Sequence, residues 1–173
     1  MPDEIKLKLV RGKLPFHYRH HPLTRGFMLV FASVVMLYSL YFLIRYVRGD
    51  MPLFFKLLPM IIIFVALDSI LRKVTCLNKV SFYVDNLTLS FMLKRSIVIP
   101  YADVVSLQLK RKITYYLVIG YRDRQGKLQY FTTPASFPKM LEILLNIADQ
   151  APQAELTDKL PQVIEYLRSN VVE

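Results

Sequence analysis

Side chains with reactive chemistry are few and scattered along the chain. His17, His20 and His21 make the only histidine cluster, spaced H-x-x-H-H. A metal ion needs three or four convergent ligands, and this stretch has no cysteine and only the distant Asp3 and Glu4 before it. It is expected to be a polar segment ahead of a membrane helix, able to meet headgroups or a partner, with no metal and no cofactor bound. Cys76 is the sole cysteine, which excludes an internal disulfide and any multi-cysteine zinc or iron–sulfur centre; it is expected to be a partly buried small apolar residue. Asp85, Asp103 and Asp123 fall at expected turns or strand starts, where short polar side chains brace loops. Glycine-rich phosphate loops, the HExxH pattern and the serine-nucleophile elbow are all missing from the sequence. No catalytic residue is assigned, and the chain is expected not to be an enzyme.

The other candidates are cations. Lys110, Arg111, Lys112, Arg122, Arg124 and Lys127 come together if the strands around them are neighbours, and such a surface would suit anionic headgroups or an acidic partner. A solvated rim of hairpin ends is the plainer alternative. The chain carries 23 Lys plus Arg against 13 Asp plus Glu, a formal charge of +10. These cations do not interleave with aromatic residues as a base-stacking platform requires, so no nucleic acid is expected. Their excess is instead concentrated before the first apolar run, at Lys6, Lys8, Arg11, Lys13, Arg19 and Arg25.

The elements that must position these groups begin with two apolar segments in a chain of 173 residues that is 54% hydrophobic. Phe27 to Val47 forms a helix long enough to cross a hydrocarbon core of about 30 Å, with Arg45 near its far end. Arg48 to Pro52 makes a turn, and Leu53 to Leu71 returns, with Lys56 near its start, Pro59 about a turn in, and Asp68 facing Arg72 at i,i+4. Arg45, Lys56, Asp68 and Arg72 are thus membrane-boundary charges; conduction through two helices alone is not expected. Positive residues outnumber those of the turn on both outer flanks, which predicts both termini in the cytoplasm. The long polar leader and the absence of a small-residue cleavage pattern argue against a cleaved signal peptide.

Beyond the hairpin the apolar period becomes two. Val80–Val84 and Leu87–Phe91 read as strands around an Asp85-Asn86 turn, followed by Ser96–Ile99, then Asp103–Leu109 with Val105, Leu107 and Leu109 on one face. Ile113–Tyr121 and Lys127–Thr132 complete about six strands in an antiparallel meander. Ser136 is expected to cap a helix starting near Pro138, whose stripe is Met140, Leu141, Leu144, Leu145 and Ala148. A second amphipathic helix carries Leu160, Val163, Ile164 and Leu167 and admits Pro161 in its first turn.

Two spanning helices, a meander, the segment Ile99-Pro100-Tyr101 with Val104, and an apolar helix after Thr133-Pro134-Ala135-Ser136-Phe137 resemble bacterial membrane-anchored pleckstrin-homology-like domains, including the YcxB-like group. The resemblance covers about residues 24–149 and implies a surface for proteins or lipids that needs no catalytic residue. The basic first-hairpin signature of phosphoinositide-binding members does not align.

The expected fold is therefore α+β, a two-helix transmembrane hairpin followed by a pleckstrin-homology-like antiparallel meander or partly open barrel closed by a C-terminal helix. Its expected parts are a basic cytoplasmic leader at 1–26, the hairpin at 27–71 (helices about 27–47 and 53–71), the domain at 75–149, and an amphipathic helix and tail at 152–173. The expected role is a non-enzymatic membrane-tethered binding or scaffold module in a bacterial inner membrane, with membrane lipids as partners. The alternative is an accessory subunit of a larger membrane complex, docking through hairpin faces that carry Ala32, Ser33, Ser39 and Ala66, or a self-associating hairpin.

Overall fold

The computed structural model describes residues 14–19, 21–47, 51–111 and 113–170, which fall into two compact units. The described parts of 21–76, with 92–94, make one; 14–19, 77–91 and 95–170 make the other. Much of the leader, including Lys6, Lys8, Arg11 and Lys13, the turn residues Arg48 to Asp50, and His20 and Lys112 lie outside the described residues.

The first unit is a helical pair, α1 (Pro22–Tyr46) and α2 (Leu53–Thr75). Proline at the start of α1 supplies a helical φ where no intrahelical N–H bond is needed, and Arg45 in its last turn complements the exposed carbonyls. At 25 and 23 residues the helices rise about 37 and 34 Å, and both are long and apolar enough to cross a membrane. They run antiparallel: the Arg25 guanidinium at the start of α1 donates to the Lys73 carbonyl at the end of α2. Ala32, Ser39, Pro59 and Ala66 are buried in their shared seam, while Val30, Leu37, Ile44, Ile61 and Phe64 face outward.

In the second unit, two open four-stranded sheets replace the single meander. One holds β1 (Phe16–Arg19), β2 (Leu77–Phe82), β3 (Asn86–Phe91) and β4 (Ile97–Pro100), all antiparallel in that order. The other has the order β7-β6-β5-β8, from β5 (Val104–Arg111), β6 (Tyr115–Arg122), β7 (Leu128–Pro134) and β8 (Glu155–Thr157), with only the β5–β8 pair parallel. The chain leaves the first sheet at Pro100, which cannot donate to a ladder, and turns through the 3-10 segment Tyr101–Asp103. Buried Tyr101 fastens that corner: its hydroxyl donates to the Tyr83 carbonyl at 3.1 Å and its N–H to the Asp85 carbonyl at 3.1 Å. Ile99 and Val104 on either side are almost wholly inaccessible, so the Ile-Pro-Tyr segment is a structural corner.

Register differs from expectation in two places. Val104 and Ser106 on β5 oppose the consecutive residues Tyr121 and Gly120, so Val105 is the extra residue of a bulge and Val104 takes its inward place. Strand β2 ends at Phe82, because Tyr83 N–H already closes the turn on the Asn86 carbonyl at 2.9 Å and Val84 is exposed.

Helix α3 (Met140–Gln150) buries Ile143, Leu144 and Ile147 against core residues of both sheets, including Phe82, Leu87, Leu107 and Ile119. Its N-cap is Lys139 at φ 57°, with no side-chain cap, so Ser136 does not cap it; Leu141 points to solvent and Ile143 and Ile147 join the stripe in its stead. Helix α4 (Leu160–Asn170) packs on the same core through Leu160, Ile164 and Leu167, and Arg168 ties it to Asp149 of α3 at 2.6 Å.

Candidate functional site

Strand β6 separates the candidate cations. Lys110 and Arg111 end β5 and lie opposite Tyr116 and Tyr115, the first residues of β6. Arg122 ends β6 opposite Leu128, and Arg124 and Lys127 belong to the turn between them. An eight-residue strand is about 24 Å from end to end, so the expected single basic surface is corrected to two groups at opposite ends of the β5–β6 hairpin. The strands are neighbours as expected; their antiparallel course is what parts the cations.

The group at Lys127 is organised as a turn. Asp123 Oδ1 accepts from the Gln125 N–H at 2.9 Å and the Lys127 N–H at 3.0 Å, and Gly126 supplies the positive φ of 76°. These donors, the Lys127 N–H foremost, hold the Asp123 carboxyl below its ordinary value.

The group at Lys110 borders a cleft. Leu109, Lys110, Arg111 and Tyr115 from the hairpin line a space of about 560 Å³ together with Asp158 and Lys159, which precede α4. The Arg111 guanidinium lies over the Tyr115 ring, 5.7 Å from its centroid. Ile113, at the hairpin tip, is 98% exposed. Lys159 is a member of this surface that sequence spacing did not reveal, since β8 returns to β5 from far along the chain.

Of the boundary charges, Arg45 stands in the last turn of α1 and Lys56 in the first turn of α2. Asp68 accepts from Arg72 Nε at 2.7 Å, the expected i,i+4 pair, with both side chains substantially exposed. Cys76 caps the end of α2 and is exposed, correcting the expectation of partial burial: its N–H bonds the Arg72 carbonyl while its side chain leaves the helix.

Of the three histidines, His17 and His21 are among the described residues. His17 points outward from β1, its ring centroid 6.1 Å from that of Tyr83, and partial desolvation followed by the Lys79 charge lowers its pKa. His21 precedes α1. Among the described residues no cluster of three or more His, Cys, Asp or Glu side chains could hold a metal.

One polar arrangement was not legible in advance. Asn146 and Glu142 are buried on α3, and Asn146 Nδ2 donates to the Tyr18 hydroxyl at 3.0 Å. Burial, then the Glu142 charge, raises the Tyr18 pKa, and Lys139 Nζ lies 3.3 Å from Glu142 Oε1. This network fastens β1 to α3 beside a space of about 210 Å³ that Tyr18 and Lys139 help to line. Its sequence trace was the alternation of Phe16 and Tyr18 with His17 and Arg19.

Comparison of the chain with protein-family models and with curated proteins finds no match.

Proposed function

We propose that the chain is a non-enzymatic, membrane-tethered binding or scaffold module, in which α1 and α2 cross the bilayer and the strand unit is presented at the cytoplasmic face. The observation that carries this reading is the register Arg19↔Lys79 between β1 and β2. The helical pair is inserted between these two hydrogen-bonded strands, so residues before α1 and after α2 must share one side of any bilayer. An odd number of crossings is incompatible with that sheet. Two apolar helices of spanning length meet the requirement. Arg19, Arg25, Arg72, Lys73 and Lys79 on the outer flanks, against Arg45, Arg48 and Lys56 around the connection, favour the cytoplasmic side, which in a bacterium means the inner membrane.

The pleckstrin-homology-like reading is supported by four antiparallel strands, three more, and a closing helix in chain order. Under it, the connection between the first two strands, where lipid-binding members carry their basic signature, is here the helical pair itself. The accessory-subunit alternative is weakened because Ala32, Ser39 and Ala66 are already spent on the seam between α1 and α2.

Thiol accessibility tests the tethering. Cys76 in the parent chain, and Arg19→Cys and Met51→Cys in a Cys76→Ser background, are probed with a membrane-impermeant maleimide. In inverted vesicles Cys76 and the residue-19 thiol should react and the residue-51 thiol should not, with the reverse in right-side-out vesicles. Reaction of all three from one face would eliminate the spanning hairpin.

A further inference from the structure

We infer that the tip of the β5–β6 hairpin is a docking site for anionic phospholipid headgroups; this rests on the binding-module reading and names its ligand. Three cations, Lys110, Arg111 and Lys159, converge on one open cleft whose single acidic group is Asp158. Lys110 and Arg111 are exposed, and among the described residues neither is engaged by a carboxylate, so their charge is directed at solvent. A cleft of about 560 Å³ admits a phosphate with its glycerol, and Leu109 and the Tyr115 ring offer an apolar wall to the first carbons beyond it.

The tip itself decides between a lipid and an acidic protein. Ile113 is 98% exposed between β5 and β6, two residues beyond the exposed Arg111. A bare apolar side chain next to exposed cations suits a planar interface into which it can dip while the cations stay among the headgroups. A folded partner would instead have to supply a matching hole for Ile113, whereas a bilayer interface accepts it without one. The other cationic group, at Arg122, Arg124 and Lys127, lies in a turn closed by Asp123 and carries no comparable apolar tip.

The test uses the full chain with Cys76→Ser and Thr114→Cys, labelled at residue 114 with a polarity-sensitive dye and held in phosphatidylcholine nanodiscs. Phosphatidylglycerol is supplied in the disc or as added vesicles, beside phosphatidylcholine controls. A blue shift that requires phosphatidylglycerol is expected. Lys110→Glu with Arg111→Glu should weaken vesicle affinity at least about tenfold, whereas Arg122→Glu with Arg124→Glu, an equal charge change at the other end, should leave it unaltered. Ile113→Asp should abolish the blue shift, and unchanged melting temperatures certify that the variants fold. Indifference of the dye to phosphatidylglycerol, or equal loss from both reversals, overturns the inference. So does a shift produced by poly-glutamate and not by phosphatidylglycerol, which would assign the tip to an acidic protein. Any of these results beside correct thiol sidedness rejects the lipid site and leaves the tethered module standing.

Discussion

Asn146 donates a 3.0 Å hydrogen bond to the hydroxyl of Tyr18, joining the closing helix α3 to a strand that precedes both apolar helices. Both residues are buried, so the bond is made where water cannot replace it. Tyr18→Phe keeps the ring and removes the oxygen, and should cost about 1–3 kcal/mol of stability. His17→Ala, on the exposed side of the same strand, should change stability by no more than about 0.5 kcal/mol. Thermal unfolding in mild detergent compares the two; equal melting temperatures for parent and Tyr18→Phe would contradict the role given to this bond.

Alkaline pH offers a second check. Burial raises the Tyr101 hydroxyl from its ordinary value near 10 to about 12, and Tyr18 moves in the same direction. The unfolded chain therefore loses these protons first. Stability is fully retained below about pH 10 and falls as pH rises from there through about 12, by up to about 1.4 kcal/mol per pH unit for each tyrosine. Tyr101→Phe should lower stability at neutral pH and flatten this alkaline decline. A decline equally steep in Tyr101→Phe would assign it to other groups.

Gly120 is needed for space. A Cβ there would lie 2.4 Å from Ser106 Oγ and 3.2 Å from the Tyr130 ring, which covers the glycine on the outer face of the second sheet. Gly120→Ala forces the hydroxyl to rotate and the ring to lift, at about 1–3 kcal/mol. Adding Ser106→Ala removes the worse contact and should recover much of the loss, a coupling that a double-mutant cycle measures. Independent, additive effects would show that the crowding is relieved elsewhere.

The Asp68–Arg72 pair should matter little. Its side chains retain 47% and 76% of their exposure, so Asp68→Asn is expected to change stability by about 0.5 kcal/mol or less. A large loss in melting temperature would mean that Asp68 has a further role within the bilayer boundary.

What could be read from the sequence followed the length of each signal. The helical pair was visible because long apolar runs have few other outcomes, and β3, β6 and β7 because β-branched and aromatic residues are dense there. Strand β1 escaped notice: it has four residues, three of them charged or titratable, and its partner β2 lies beyond the whole helical pair. β8 is three residues long and is held in place by its parallel pairing with β5. Side-chain alternation in β5 misplaced Val105 because a bulge leaves no mark in composition. The strands beside the cations are neighbours, yet adjacency alone does not say which end of a strand a residue occupies. Lys159 joined the cleft through the return of β8 to β5, a contact that no local pattern encodes.

The placement of β1 also sets an order of events during synthesis. The ribosome completes β1 first, then both apolar helices, and only afterwards β2, so the first strand must wait without its neighbour until the second helix has been made. Were both helices to cross a bilayer as proposed, a second helix that failed to return would leave Tyr18 and Phe16 on one side and their partners on the other. Under the proposed spanning topology, completion of the first sheet requires a returned hairpin, and a chain inserted otherwise would keep an unfinished sheet edge.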